Sequence, residues 1–510
     1  MRSLPLLLAC ALCLIPMSLA IAEPATADLR IEHVTVVSPE RAAPLRDATV
    51  VVHAGRIAWI SDGGASTRAQ RSPHIPVIDG RGLYLSPGLI DSHVHLGSIP
   101  GMTGEQEAAH PDIAASAWAQ IPKSYLLFGF TTLIDLISSP QDMARWKSHG
   151  IVPDTYFCGA AALMDGYPTN FLPKPQRYTV PAASYILIEP GMTPPEGVDP
   201  ALHTPAAVVA RMKADGAICV KTFYEHGYGP THGLPVPQIG TIRALVESAH
   251  AAGLPVLIHA NAEEAQRFGL DAGVDILAHG VWRWDEKSDT TALTPSIGLL
   301  LDQVLATHTG WQPTIQVLYG ERDLFEPSYL DDPRLARVLP SELIAWYRSP
   351  EGQWFHDALV EDFPEARGKD PKAAQAIVEQ DYAVPIARVE HATGYLASHG
   401  GRLLFGTDTP SAPTYANPPG LNGWLEMHNL LTAGETPAQI FRSATLINAQ
   451  ALHLDRDIGT VERGKRANLL LLRQDPRQTI DAYADIVKVI LDGRVFDPGE
   501  LAANRSSRSP

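Results

Sequence analysis

The sequence predicts an α/β protein built on a (β/α)8 TIM barrel. Short apolar stretches typical of buried strands recur along the chain, and several of them end in a single polar residue. Four such stretches cover residues 218–221, 254–259, 274–279 and 402–408, and they end in Lys221, His259, His279 and Asp408. Because barrels of this class assemble their active sites at the carboxyl ends of the strands, the repeated pattern predicts both the fold and the position of a site. Residues 262–270, between two of the stretches, have helical composition.

An earlier strand carries a His-x-His pair, His93 and His95, after a start marked by Pro87 and Gly88. Residues two apart on a strand point to the same face, so both imidazoles can bind one metal ion. The alternative is a buried strand in which the two histidines are structural. The polar residues at the other strand ends favour the metal site.

Length and composition indicate a large globular protein. With 510 residues, 45% of them hydrophobic, the chain can form a barrel and a second unit. The 40 glycines and 43 prolines suit a fold with many loops. A formal net charge of −16 argues against a nucleic-acid partner, which would require a basic surface.

The first residues predict a secretory signal peptide over residues 1–22 and therefore a secreted or periplasmic protein. Residues 6–15 are apolar, and Ala20 and Ala22 form a small-x-small cleavage site. The apolar segment is short for a membrane span and is interrupted by Pro16, so we expect no stable membrane insertion. Residues 7–10 faintly resemble a lipoprotein box, which leaves lipidation of Cys10 as the alternative.

Two cysteines, Cys158 and Cys219, remain after removal of the leader. Cys219 lies two residues before Lys221 and therefore faces the same side of the strand. We expect a buried free thiol there. A disulfide is the alternative in an oxidising compartment, although nothing in the sequence places the two cysteines near each other.

Two long excursions interrupt the expected barrel, at residues 163–203 and 315–375. Loops of this length in a compact domain are commonly lids or binding loops. The alternative is that their aromatic residues pack a peripheral helix layer. The aromatic residues are Tyr167, Phe171, Tyr178 and Tyr185 in the first excursion and Tyr319, Phe325, Tyr329, Trp346, Tyr347, Trp354 and Phe355 in the second.

Taken together, the motifs at residues 87–95, 129–132, 220–221, 258–259, 278–280, 405–408 and 459–469 resemble the amidohydrolase superfamily over nearly all of the chain after the leader. The resemblance is to its binuclear branch, which includes imidazolonepropionase-like amidohydrolases and prolidase-related dipeptidases. It implies two divalent metal ions, expected to be zinc. The implied ligands are His93, His95 and Asp408 for the first ion, His259 and His279 for the second, and a carboxylated Lys221 as the bridge.

The resemblance also implies a domain organisation. The strand-like patterns at residues 29–80, 468–472 and 487–495 would form one small β-sandwich built from both chain ends. The expected boundaries are 23–86 and 451–500 for the sandwich, 87–450 for the barrel and 501–510 for a tail. Asn468 departs from the family pattern, where an Asp is usual, and bears on the small domain only.

The implied chemistry is hydrolysis of an amide or peptide C–N bond in a small-molecule or dipeptide-like substrate. A hydroxide bridging two ions would attack the carbonyl, and Asp408 would pass its proton to the leaving nitrogen. A lysine paired with Asp408 in the absence of metal is the alternative for Lys221. We also expect substrate contacts from Tyr224, His226 and Arg283, the last of which could pair with a substrate carboxylate.

Two other functions remain open. The same site could cleave an ester or lactone, because the attacking hydroxide does not depend strongly on the leaving group. An inactive periplasmic metal- or ligand-binding protein is disfavoured, since all six implied ligands are present. The sequence leaves a homo-oligomer open.

Overall fold

A computed structural model describes residues 28–61, 75–178, 185–229, 231–285, 288–411 and 413–504. The predicted signal peptide lies outside the described residues, and so does the end of the predicted tail, residues 505–510. The strands are β1 Leu29–Val36, β2 Leu45–His53, β3 Arg56–Ile60, β4 Val77–Asp79, β5 Tyr84–Pro87, β6 Leu89–Val94, β7 Phe130–Asp135, β8 Asp154–Ala161, β9 Cys219–Phe223, β10 Val256–His259, β11 Ile276–Ala278, β12 Gly310–Gln312, β13 Leu469–Leu472, β14 Ile486–Leu491 and β15 Arg494–Phe496.

Seven of the described strands form a parallel sheet in the order β12-β11-β10-β9-β8-β7-β6. Their side chains are buried on both faces, which is why these strands are continuous apolar runs and do not alternate. The predicted strands at residues 218–221, 254–259 and 274–279 are confirmed as β9, β10 and β11.

Residues 402–409 close the ring between the two edge strands. On one side Leu404 N donates to Trp311 O at 2.8 Å, and on the other Asp408 N donates to His93 O at 2.7 Å. A Cβ atom at Gly406 would lie 2.8 Å from the Cβ of His93, so only glycine allows this close approach. The result is a TIM-barrel-like fold, in which the fourth predicted strand is an irregular extended segment.

The described helices surround this sheet. They are α1 Gly104–Ala109, α2 Pro111–Leu127, α3 Pro140–Lys147, α4 Pro205–Ala214, α5 Ile239–Ala251, α6 Glu263–Ala272, α7 Pro295–Thr307, α8 Gln316–Asp323, α9 Leu335–Val338, α10 Ser341–Tyr347, α11 Trp354–Val360, α12 Pro371–Ser398, α13 Leu421–Thr432, α14 Pro437–Arg442, α15 Asn448–Ala451 and α16 Pro498–Leu501. Several begin with a Ser, Thr or Asp cap followed directly by proline, as at Ser139, Thr204, Thr294 and Asp370. The helix predicted at residues 262–270 is confirmed as α6.

Strands from both ends of the chain share a second sheet, in the order β15-β14-β13-β5-β1-β2-β3 with β4 beside β1. β13 pairs antiparallel with β5, which joins the two chain ends directly. A separate apolar core lies against these strands, with Ile31, Val50, Leu85 and Leu469 fully buried. The packing of two sheets as a sandwich, and the domain boundaries, stay predictions.

The expectation of a free Cys219 thiol is wrong. Cys158 on β8 and Cys219 on β9 are directly opposite each other in the parallel pairing and form a disulfide. The two residues are 61 positions apart, so only the pairing of neighbouring strands brings them together. Both are fully buried inside the barrel beneath Lys221.

In the described part of the chain, every helix is too short or too polar to cross a membrane.

Candidate metal centre

All six predicted ligands lie at one end of the parallel sheet. His93 is on β6, with His95 just after it; Lys221 is on β9; His259 ends β10; and His279 directly follows β11. Asp408 comes from the segment that closes the ring. The parallel direction of the strands explains this convergence, since all their carboxyl ends meet at the same rim.

The carboxylate of Asp408 connects the His-x-His pair. Its Oδ1 atom lies 3.0 Å from His93 Nε2 and 2.9 Å from His95 Nε2. Its Oδ2 atom lies 3.8 Å from His279 Nδ1. One ligand atom from each of His93, His279 and Asp408 lies within 4.8 Å of the others, so these three buried residues could hold one metal ion.

The histidine rings continue from this group towards β10. The ring centroids are 5.1 Å apart for His93 and His279 and 4.5 Å apart for His279 and His259. His279 has a left-handed backbone, with φ of 78°, and its Nδ1 lies 3.0 Å from Thr314 Oγ1. This contact fixes the orientation of the ring at the turn after β11.

Lys221 has 1% of its surface exposed, and its Nζ has no hydrogen-bond partner among the described residues. Burial lowers the pKa of Lys221 to about 7, although the carboxylate of Asp408 acts in the opposite direction. A buried amine without a partner is costly, which indicates that a further group belongs beside it. His93 Nδ1 is a second buried atom without a partner in the described structure.

Burial favours the neutral form of three imidazoles, those of His93, His259 and His279. Burial, assisted by Lys221, lowers the pKa of His93 to about 3, and burial also lowers the pKa values of His259 and His279. Burial opposes ionisation of Asp408, but its contacts with His93 and His95 outweigh this effect and hold the pKa of Asp408 well below its usual range. Neutral imidazoles and an ionised carboxylate are the forms that bind metal ions, so the donor set fits a divalent metal.

Two buried carboxyl groups that the sequence reasoning missed support these ligands. Asp91 accepts hydrogen bonds from Thr407 Oγ1 at 2.7 Å and Thr407 N at 3.0 Å, which ties the closing segment to β6. Asp135, at the end of β7, lies 4.0 Å from His95 Nδ1, and burial raises the pKa of Asp135 to about 6. Asp135 also ends an apolar strand, so the same signal that found Lys221 and His259 could have found it.

A polar network missed by the sequence reasoning borders His259. Tyr228 Oη lies 2.9 Å from His259 Nε2, and Asn261 Nδ2 donates to Tyr228 Oη at 2.5 Å. The fully buried carboxylate of Glu225 lies 3.4 Å from His259 Nε2 and forms an ion pair with Arg283. Burial acts against ionisation of Glu225, but these two partners lower the pKa of Glu225 to about 2.

The structure brings the three predicted substrate residues together around a cavity that is also lined by Glu225 but by none of the six predicted ligands. Tyr224, His226 and Arg283 line a cavity of about 220 Å³ together with Glu225, Ala262, Glu264, Trp284 and Asp285. His226 Nε2 contacts Glu264 at 3.0 Å, and the ring of Tyr224 lies 4.5 Å from that of Phe268. Arg283 is engaged by Glu225 and Asn261. Their roles in substrate binding stay predictions.

Many aromatic residues of the second excursion pack into the core. Tyr347 is fully buried and stacks on Tyr415 at 5.1 Å, while Trp346 and Phe325 are also buried. This part of the chain therefore forms a helical layer, α8 to α11, beside the barrel rim. The second excursion therefore matches the alternative in which its aromatic residues pack a peripheral helix layer.

Fold and site together define a barrel protein with a candidate metal centre at the carboxyl ends of its strands. Residues 84–275 and 380–496, more than half of the chain, match the Amidohydrolase family. The chain belongs to this family.

Individual relatives match less of the chain. An imidazolonepropionase of Idiomarina loihiensis is 46% identical over 52 residues, which cover 10% of this chain and 12% of the relative. An uncharacterized protein of Mycobacterium tuberculosis is 27% identical over 279 residues, or 53% of this chain and 65% of the relative. The matches therefore span less than two thirds of either curated relative.

A crystal structure of a Xaa-Pro dipeptidase with bound methionine has the same fold as this chain. It is 20% identical to this chain, with a TM-score of 0.62, and the match covers 92% of this chain and 100% of that one.

Proposed function

We propose that this protein is a metal-dependent hydrolase of an amide or peptide C–N bond. The observation that carries the proposal is the convergence of four histidines, Asp408 and Lys221 at one end of the barrel. Within the described part of the chain, the buried Nζ of Lys221 has no hydrogen-bond partner. Membership of the Amidohydrolase family supports the same activity.

The ligand assignment is part of this proposal. It follows the family resemblance, which gives His279 to the second ion although His279 also lies close to His93 and Asp408. His93, His95 and Asp408 would hold one divalent ion, His259 and His279 the second, and a carboxylated Lys221 would bridge them. Nitrogen and oxygen donors of this kind suit zinc. When bound, two such ions lower the pKa of a water ligand towards about 7 and polarise the scissile carbonyl.

The residues of this chain would then transfer the proton. Asp408 is buried and ionised, and it contacts the His-x-His pair. Its carboxylate would accept a proton from the attacking water and return it to the leaving nitrogen. Thr314 and Asp135 would keep His279 and His95 in their binding orientations through the contacts described above.

The substrate class follows from the relatives by analogy. The names of two relatives, a dipeptidase and an imidazolonepropionase, support a small amide or dipeptide as the substrate. Cleavage of an ester or lactone at the same centre is the second candidate, because the attacking group does not discriminate strongly between the leaving groups.

We also propose a secreted or periplasmic location. The disulfide between Cys158 and Cys219 supports it, since such bonds persist in oxidising compartments and are rare in the cytosol. This support is independent of the leader sequence.

The test combines metal analysis with a substrate panel. Protein prepared with zinc, manganese or cobalt would be assayed at about pH 7 to 8 on dipeptides, N-acyl amino acids, esters and lactones. We expect about two equivalents of metal per chain and turnover of at least one amide. Less than about one equivalent, or hydrolysis of esters and lactones alone, would refute the amidase proposal.

A further inference from the structure

A row of aromatic rings leads from His259 to the protein surface. The ring of Tyr167 lies 4.6 Å from that of His259, centroid to centroid. Phe171 lies 5.7 Å from Tyr167, edge to face, and 64% of its surface is exposed. Single exposed apolar side chains are common on protein surfaces, and what distinguishes Phe171 is its ring contact, through Tyr167, with a candidate metal ligand.

Tyr167 is the centre of this row. Besides His259, it contacts the rings of Tyr228 at 5.7 Å and Phe223 at 5.8 Å. Phe223 is the last residue of β9, the strand that carries Lys221, and Tyr228 follows this strand. Tyr167 therefore covers the candidate centre from the side of β9 and β10. Edge-to-face contacts of this kind fix the plane of the Tyr167 ring.

The segment that carries Phe171 is held in place by polar bonds. The guanidinium of Arg177 donates to Asp165 Oδ1 at 3.0 Å, to Leu172 O at 2.9 Å and to Asn170 O at 3.0 Å. These hydrogen bonds hold the turn around residues 165–172 in place, and Phe171 is exposed to solvent on this turn. A Cβ atom at Gly166 would lie 2.8 Å from Pro235 O, which shows that this loop packs closely on the segment after β9.

We propose that Tyr167 and Phe171 form an apolar subsite that selects substrates with an aromatic or large aliphatic group next to the scissile bond. The inference rests on the proposed function and deepens it by naming the substrate class. The occupant is the side chain of the substrate, because the row is continuous with the candidate centre and ends at an exposed ring.

The first experiment compares kcat/KM for matched dipeptides. Ala-Phe is compared with Ala-Ser, and Phe-Ala with Ser-Ala, so that the aromatic group lies on either side of the scissile bond. We expect the wild type to prefer the aromatic member of at least one pair. Phe171→Ala should reduce that preference about fivefold and Tyr167→Ala about tenfold or more, while Tyr167→Phe retains it.

Leu299→Ala is the matched control, because Leu299 on α7 is also an exposed apolar residue, at 67%, and belongs to the outer helix layer. It should leave the preference unchanged. Equal kcat/KM within both dipeptide pairs, or a preference that survives in both Phe171→Ala and Tyr167→Ala, would overturn the subsite.

The second experiment separates this inference from the proposed function, because it measures binding and not turnover. Binding of L-phenylalaninamide and L-serinamide would be measured by calorimetry on the metal-loaded protein. Tighter binding of the aromatic amide that is lost in Phe171→Ala supports the subsite even if every hydrolysis assay fails. Equal binding of the two amides contradicts it even if the protein is an amidase.

Discussion

Glu435, in the turn between α13 and α14, is a buried carboxyl group whose two oxygens both lack a hydrogen-bond partner among the described residues. Burial raises the pKa of Glu435 to about 8, and the carboxyl of Glu426 adds to the effect. We therefore predict that the Glu435→Gln substitution stabilises the protein at alkaline pH, because an amide has a similar shape and does not ionise.

The sign of this effect on stability follows from the protonation of Glu435 in the unfolded and the folded protein. The unfolded protein releases this proton near its ordinary pKa of 4.5, whereas the folded protein keeps it until about pH 8. Stability is therefore lost as the pH rises between these values, by up to about 1.4 kcal/mol for each pH unit. From about pH 5 to about pH 8 the loss attributable to Glu435 amounts to about 3 kcal/mol.

Urea unfolding at these two pH values, followed by circular dichroism, measures the effect. Glu435→Gln should be close to the wild type at about pH 5 and more stable by about 3 kcal/mol at about pH 8. Glu247→Gln, at an exposed position on α5, is the control and should follow the wild type throughout. If the wild type and Glu435→Gln lose stability in parallel with rising pH, the reasoning about the buried carboxyl is wrong.

Three further predictions concern the centre and its support. Lys221→Ala should lose at least one metal ion and nearly all activity, as measured by metal analysis and turnover. The control Lys213→Ala, on the exposed face of α4, should lose neither. If Lys221→Ala retains two ions and a normal rate, Lys221 does not bridge the ions. Asp408→Asn should keep much of its metal but lose about 10²- to 10⁴-fold in kcat, because an amide cannot carry the proton; a near-normal rate would mean that another group does so. Replacing Cys158 and Cys219 by serine should lower the free energy of unfolding by about 4 kcal/mol, from the closed loop of 61 residues, and reduction of the wild type should have the same effect. Equal stability of the oxidised, reduced and serine forms would count against a disulfide in the folded protein.

The strand ends were predictable because their signal is local. An apolar run that ends in His259 or His279 contains both the strand and the candidate ligand within a few residues, and the common direction of parallel strands supplies the convergence. The same holds for His93 and His95. Asp135 also ends an apolar strand, β7, so the same sequence pattern could have identified it.

Other features depend on contacts that no local pattern contains. Arg283 was predicted to contact the substrate, and no local pattern indicated its ion pair with Glu225, 58 residues earlier in the chain. Tyr167 was one aromatic residue among many in a long excursion. Its contact with His259 depends on how the loop after β8 folds over the neighbouring strands.

The sequence by itself determined the types of strand, the residues at their ends and therefore the kind of centre they can form, because periodicity and ligand chemistry are properties of short segments. Only the tertiary structure decided how those segments meet. It showed that the ring is closed by an irregular segment around Asp408, that Cys158 pairs with Cys219 across neighbouring strands, and which loop covers His259. These outcomes are set by strand register and close packing between residues far apart in the chain, where a shift of one position would place different side chains opposite each other.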